Sequence, residues 1–308
     1  MPQIFASPSS RPAFSLSSKA LRLTQKEHNQ DNPMPQQRYS FEFFPPKTDI
    51  GREKLKNVRA ELNALGPDFF SVTYGAGGST RDNTKNIVLE MKQEGLSAAP
   101  HLSFGGDDEA SMLELINSYK DAGIDRIVSL RGDQPSGMGA TRQVYAQELV
   151  EFIRKHTGDH FHLEVAAYPE IHPDAKSYQA DIDFLKAKLD AGANSAITQY
   201  FYSIDAWHFF MESCQKAGIT KPIYPGVMPI TNFNNLARFS RNCCAELPRW
   251  MTQKFENYEE GSADAQKFGI ELVTRLCEQL LAEGAPGIHF YTMNGVEPVK
   301  TIWQNLDL

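Results

Sequence analysis

The chain has 308 residues, 41% of them apolar and 22% charged, with a formal net charge of -7. That is an ordinary balance for a folded globular protein, and its acidity argues against nucleic acid, whose binding rests on neutralising phosphates with Lys and Arg. No apolar run approaches the ~20 residues of a membrane helix, so no membrane partner is expected. The four cysteines (Cys214, Cys243, Cys244 and Cys277) form no C-x-x-C pair, so reduced thiols in a cytoplasmic protein are expected.

Residues 1–36 stand apart. They are rich in Ser, Pro and Gln, and their early charges (Arg11, Lys19, Arg22, Lys26) are all basic, with Glu27 the first acid. Such a segment has too little apolar surface to order itself. It reads as a disordered extension ahead of one domain at 37–308. A transit peptide, or an upstream start with Met34 as the true one, are the alternatives.

From Tyr39 a pattern repeats: an apolar segment, an amphipathic stretch, a Gly, then the next apolar segment. The apolar segments span residues 40–44, 69–74, 98–104, 126–130, 162–168, 195–201, 222–228 and 287–293. Their length and their β-branched and aromatic content predict eight buried strands. Between them, Ile182, Leu185 and Leu189 share one helical face. Leu65-Gly66, Glu94-Gly95, Ala122-Gly123, Ala191-Gly192, Ala217-Gly218 and Glu283-Gly284 read as helix stops. Strands alternating with helices at a repeat of about 30 residues imply parallel βα units. Eight such units imply an α/β fold of the (β/α)8, or TIM, barrel type. An open doubly wound sheet competes, but the first turn, Phe44-Pro45-Pro46-Lys47-Thr48, lacks a glycine fingerprint. The long gap between strands seven and eight predicts extra helices at 232–239 and 263–281.

Barrel active sites form at the C-terminal ends of the strands. Glu42 lies between Phe41 and Phe43. Alternation in a strand turns the two rings toward the helices and the carboxylate into the barrel. Desolvation is expected to raise its pKa and suit it to general acid work; pairing with a buried Arg or Lys is the alternative. Arg131-Gly132-Asp133 after the fourth strand offers groups for a phosphate and a polar ring edge, or a surface turn with a salt bridge. The Gly-rich run Thr73-Tyr74-Gly75-Ala76-Gly77-Gly78-Ser79-Thr80 offers backbone N–H groups to phosphate, or a turn before a capped helix. It lacks the Lys of a P-loop. His101 reads as a catalyst or a satisfied structural residue, and Gln199 as a pterin-reading amide or a buried Gln bonded to backbone. Metal ligands at zinc spacing are absent from Tyr168-Pro169-Glu170-Ile171-His172-Pro173, so no metal is expected.

Ser40-Phe41-Glu42-Phe43-Phe44-Pro45-Pro46-Lys47, Ser71-Val72-Thr73-Tyr74, Ala99-Pro100-His101-Leu102 and Leu130-Arg131-Gly132-Asp133 resemble motifs of the methylenetetrahydrofolate reductases. So do Ala166-Ala167-Tyr168-Pro169-Glu170, Ile197-Thr198-Gln199-Tyr200-Phe201, Pro225-Gly226-Val227-Met228-Pro229 and His289-Phe290-Tyr291-Thr292. Their order and spacing, from about Tyr39 to Thr301, carry the resemblance. It implies FAD held by the barrel and NADH or NADPH as co-substrate. The implied reaction is reduction of 5,10-methylenetetrahydrofolate to the 5-methyl form, a methyl source for methionine synthesis, in a homo-oligomeric cytoplasmic enzyme. It also implies Glu42 as general acid toward folate N10 and Asp133 as a carboxylate tuning flavin and stabilising the cationic intermediate. FAD contacts are implied at Thr73, His101, Arg131, Gly132, Asp133, Tyr145, Ala167, Tyr168, His172, Asp181 and Lys188. Substrate contacts are implied at Glu42, Gln199, Asn235, Phe239 and Tyr291. Phe184, Ala187 and Gly295 depart from the family's pattern. The rivals are an FAD barrel of the proline dehydrogenase type, an aldolase-type barrel, for which no strand end offers a Lys, and a non-catalytic barrel.

Overall fold

Every apolar segment of the sequence is a strand in the computed structural model, which describes residues 37–74, 78–104, 107–131 and 144–308. The expected extension at 1–36 lies outside the described residues, as do Gly75 to Gly77, Gly132 and Asp133. The strands are β1 Arg38–Phe43, β2 Phe69–Val72, β3 Ala98–Leu102, β4 Arg126–Ser129, β5 His162–Ala167, β6 Ser195–Thr198, β7 Ile223–Tyr224, β8 Gly226–Val227 and β9 Gly287–Tyr291. The helices are α1 Asp49–Asn63, α2 Gly78–Gln93, α3 Glu109–Asp121, α4 Ala146–Thr157, α5 Tyr178–Asp190, α6 Ile204–Lys216, α7 Phe233–Cys243, α8 Arg249–Phe255, α9 Ala263–Ala282 and α10 Val299–Asn305.

All strand pairings are parallel, in the order β7-β6-β5-β4-β3-β2-β1-β9-β8. The predicted seventh strand is split: β7 pairs with β6, and β8 pairs with β9. Pro225 is the reason, since it has no N–H for the ladder. Its carbonyl still accepts from His289 N at 3.0 Å, so the two short pieces act as one stave that closes the barrel. The predicted helices at 232–239 and 263–281 are α7 and α9; the short α8 between them was not anticipated.

Local signals explain the elements. Thr48, Asp108, Ser177, Ser203, Asn232 and Ser262 each cap a helix by accepting a backbone N–H with the side chain. The six predicted helix-ending glycines all have positive φ, from 74° at Gly218 to 120° at Gly192, which side chains resist.

Phe41 and Phe43 do face the helices: Phe41 lies 5.4 Å from Trp303 and 5.8 Å from Phe290, and Phe43 stacks on Phe70 at 5.4 Å. Burying each ring contributes about 2–3 kcal/mol. Inside the barrel, Phe69, Ala99, Val128, Ile197 and Tyr224 form a separate apolar layer. Toward its N-terminal end sits buried Glu164, held by Arg126 at 2.5 Å, by Ser195 Oγ at 2.5 Å and by His162 at 3.2 Å. Arg126 also lies 4.4 Å over the Phe69 ring. That network fills the barrel near the strands' N-terminal ends, opposite the rim where the strands end. Among the described residues no helix is long and apolar enough to cross a membrane.

Candidate active site

Register builds the centre of the rim. Ser40 stands opposite His289, and Glu42 stands opposite Ser71 on one side and Tyr291 on the other. Because alternate residues share a face, Ser40, Glu42, Ser71 and His289 all point inward. Glu42 Oε2 lies 3.1 Å from His101 Nε2, 3.3 Å from His289 Nε2 and 3.4 Å from Ser71 Oγ, which donates to it. The chain past Glu42 is fastened down. Thr292 Oγ1 donates to the Glu42 carbonyl at 2.7 Å, and the Asn294 amide bonds both the N–H and the carbonyl of Phe44 at 3.0 and 2.8 Å.

The expected rise in the Glu42 pKa is overturned. Burial does push the carboxyl up, but the facing His101 and His289 outweigh it and hold it at about 2. The carboxylate partners are imidazoles, not the Arg or Lys of the alternative reading. His101 Nε2 is buried and, beyond its 3.1 Å approach to the Glu42 carboxylate, makes no hydrogen bond among the described residues. An unsatisfied buried nitrogen at a barrel mouth is costly unless a ligand completes it.

A second group lies at the ends of β4 and β5 and on α5. Arg131 pairs with exposed Asp174 at 2.7 Å. The Tyr168 and His172 rings meet edge to face at 4.6 Å, and Asp181 accepts from His172 N at 2.8 Å. The part-buried Lys188 amine donates to the Ala166 carbonyl at 2.5 Å. Burial pulls that amine down to about 8, partly offset by Asp181, and pushes the Asp181 carboxyl up. A desolvated ammonium beside a guanidinium favours an anion. Thus Arg131, Tyr168, His172, Asp181 and Lys188, scattered in sequence, come together.

The remaining predicted residues divide. Thr73 joins the β1 end through its N–H, and its carbonyl accepts from Thr84 at 2.7 Å. Ala167 is buried, its carbonyl bonded to Gln199 N. Gln199 Oε1 accepts from Tyr200 N at 3.1 Å. Tyr145 is an exposed N-cap of α4. Asn235 is exposed on α7 and accepts from Arg238 at 3.0 Å. Phe239, 43% exposed, stacks on the buried Tyr200 ring at 6.3 Å. Tyr291 commits its hydroxyl to the Thr198 carbonyl at 2.7 Å. Gly226 makes room for that bond: a Cβ there would meet Thr198 O at 2.1 Å and Tyr291 Cε2 at 2.7 Å. Phe184 is exposed on α5.

His289, Ser40 and Ser71 were missed. The signal was available, because His289 and Tyr291 alternate as Ser40 and Glu42 do. Glu170 was also given no role. It accepts from Glu246 N at 2.8 Å, and burial, with nearby Glu246, raises its carboxyl to about 7.

Fold and site together define a barrel enzyme with a carboxylate and two imidazoles at the first strand's mouth and an anion-attracting rim beside them. A family model described as methylenetetrahydrofolate reductase matches residues 27–307. The 5,10-methylenetetrahydrofolate reductase of Pectobacterium carotovorum subsp. carotovorum is 41% identical over 259 residues, 84% of this chain and 86% of that one. The enzyme of the same name from Escherichia coli K12 is 40% identical, covering 87% and 90%. Methylenetetrahydrofolate reductase (NADH) 1 of Arabidopsis thaliana is 36% identical over 88% of this chain and 48% of that one. The chain belongs to the methylenetetrahydrofolate reductase family. In fold it resembles a Clostridium thermocellum protein solved with two copies of 5-methyl-5,6,7,8-tetrahydrofolic acid, with a TM-score of 0.63 at 17% identity, covering 88% of this chain and 93% of that one. None of these relatives supports the proline dehydrogenase-type alternative.

Proposed function

We propose that this barrel reduces 5,10-methylenetetrahydrofolate to 5-methyltetrahydrofolate at the expense of NADH or NADPH, with FAD as the resident cofactor. The single observation that carries the reading is the inward Glu42 set between His101 and His289 in a chain of this family. The residues present fit FAD: Lys188 is a part-buried cation with donors to spare, Arg131 flanks it, and His101 Nε2 makes no hydrogen bond among the described residues. Arg131 and Lys188 would hold the diphosphate, Tyr168, His172 and Asp181 would border it, and Thr73, His101 and Ala167 would meet the flavin side. Gly132, Asp133 and Tyr145 belong to the same proposal. When bound, FAD supplies the two-electron relay between nicotinamide and folate.

The chain's own residues manage the proton. Net reduction adds a hydride to the one-carbon unit and a proton to folate N10. With its carboxyl near 2, Glu42 alone stands ionised at neutral pH. A folate covering the mouth excludes water, and dehydration penalises a carboxylate more than a carboxylic acid. Covering the mouth thus favours uptake of a proton by Glu42, which donates it to N10 and opens the five-membered ring for hydride attack. Gln199, Asn235, Phe239 and Tyr291 border the folate, Gln199 through its amide.

Anaerobic stopped-flow on FAD-reconstituted protein tests this. NADH or NADPH is expected to bleach the flavin, and methylenetetrahydrofolate to restore its colour with formation of the methyl product. A protein that stays colourless after reconstitution, or a reduced flavin that folate does not reoxidise, excludes the assignment.

A further inference from the structure

The helix that carries Phe239 has a thin hold on the barrel. Of α7's eleven residues, Leu236 and Ser240 are buried, and Phe233 and Cys243 are partly buried against the core. Phe239, beside them, is 43% exposed. An amphipathic helix with so narrow a buried stripe needs specific contacts to fix its angle.

Those contacts converge on Tyr200, just past the end of β6. Its hydroxyl lies 2.9 Å from Ser240 Oγ and 3.0 Å from Cys243 Sγ, and the tyrosine is 1% exposed. Ser240 and Cys243 are one turn apart on one face of α7. The Cys243 thiol lies 3.4 Å from the Phe239 carbonyl. The Tyr200 ring supports the Phe239 ring from below at 6.3 Å and 23°. It also meets Tyr291 edge-on at 6.2 Å, and Tyr291 meets His289 at 5.2 Å. The anchor is therefore continuous with the cluster around Glu42.

We infer that Tyr200 is a positioning residue for the folate: it docks α7 through Ser240 and Cys243 and so holds the Phe239 ring at the mouth. This rests on the reading that Phe239 borders the substrate. A hydroxyl that lies between two groups of a single helix sets both its height and its rotation. Losing it leaves the rings stacked but lets α7 swing, so the cost falls on substrate binding rather than on chemistry.

The test is a mutant cycle on the FAD-loaded enzyme: Tyr200→Phe, Phe239→Ala and the double variant, with KM for methylenetetrahydrofolate, kcat and melting temperature measured for each. Tyr200→Phe is expected to raise KM about fivefold, the loss of one hydrogen bond, with kcat within about twofold. In the Phe239→Ala background the same change is expected to add nothing to KM. Ser240→Ala is expected to repeat the Tyr200→Phe pattern and carries the test if that variant does not fold. If Phe239→Ala raises KM while Tyr200→Phe and Ser240→Ala do not, or if the two effects multiply, the positioning role is wrong and the functional reading stands. If Phe239→Ala leaves KM unchanged, the placement of the substrate beside Phe239 fails, and the inference with it.

Discussion

Ser40 and His289 face each other across adjacent parallel strands, and a 2.7 Å hydrogen bond between Ser40 Oγ and His289 Nδ1 turns the opposite ring nitrogen toward Glu42. The serine thus fixes the ring that helps set the carboxylate's charge. Both side chains are buried, so neither has water as a substitute partner.

Ser40→Ala leaves Nδ1 unbonded. It is expected to cost about 1–3 kcal/mol of stability and to shift the pH profile of the folate half-reaction, while NADH-driven flavin reduction stays near wild type. An unshifted profile in stopped-flow means that the bond is structural alone.

Glu42→Gln removes the proton carrier but keeps the shape. FAD binding and the nicotinamide half-reaction are expected to survive, with the folate half-reaction falling about 10²–10⁴-fold. Acid stability changes too. The folded carboxyl is held at about 2 against an ordinary 4.5, so its contribution is full above 4.5 and is lost as the pH falls through 2. Acid unfolding of the variant is expected to lack that component.

Lys188→Met should separate stability from cofactor affinity. The amine titrates near 8 in the fold against 10.5 ordinarily. Between those values the unfolded chain binds more protons, so apoprotein stability rises with pH across that window. The variant is expected to lose this rise and to melt higher than wild-type apoprotein at pH 7. Its FAD affinity, read from flavin absorbance after gel filtration, is expected to fall at least about tenfold.

Glu170→Gln keeps an acceptor for Glu246 N without the charge. Glu170's folded value, about 7, lies above the ordinary 4.5, so the folded chain binds more protons between them. Its stabilising effect is full below 4.5 and is lost as the pH rises through 7. The melting temperature of the variant is expected to match wild type at pH 4.5 and to exceed it at pH 8. Equal values at both would show that the carboxyl is not held neutral.

The barrel was legible in the sequence because its signals are local. Alternation turned Glu42 inward, and the glycines that end the helices marked each βα unit, neither needing a distant partner. Proline broke the seventh strand for an equally local reason, yet closure through the Pro225 carbonyl needed the partner strand to be in place. The rim residues Arg131, His172, Asp181 and Lys188 were individually nameable through family likeness, whereas their convergence around a part-buried amine belongs to packing.

Sequence by itself determined which face of the first strand Glu42 occupies, since strand geometry has a period of two. Tertiary structure decided its charge. Desolvation alone pointed upward, but electrostatic attraction depends on distance through space, and the β1–β9 register with the approach of β3 brought His289 and His101 within 3.3 and 3.1 Å of the carboxylate.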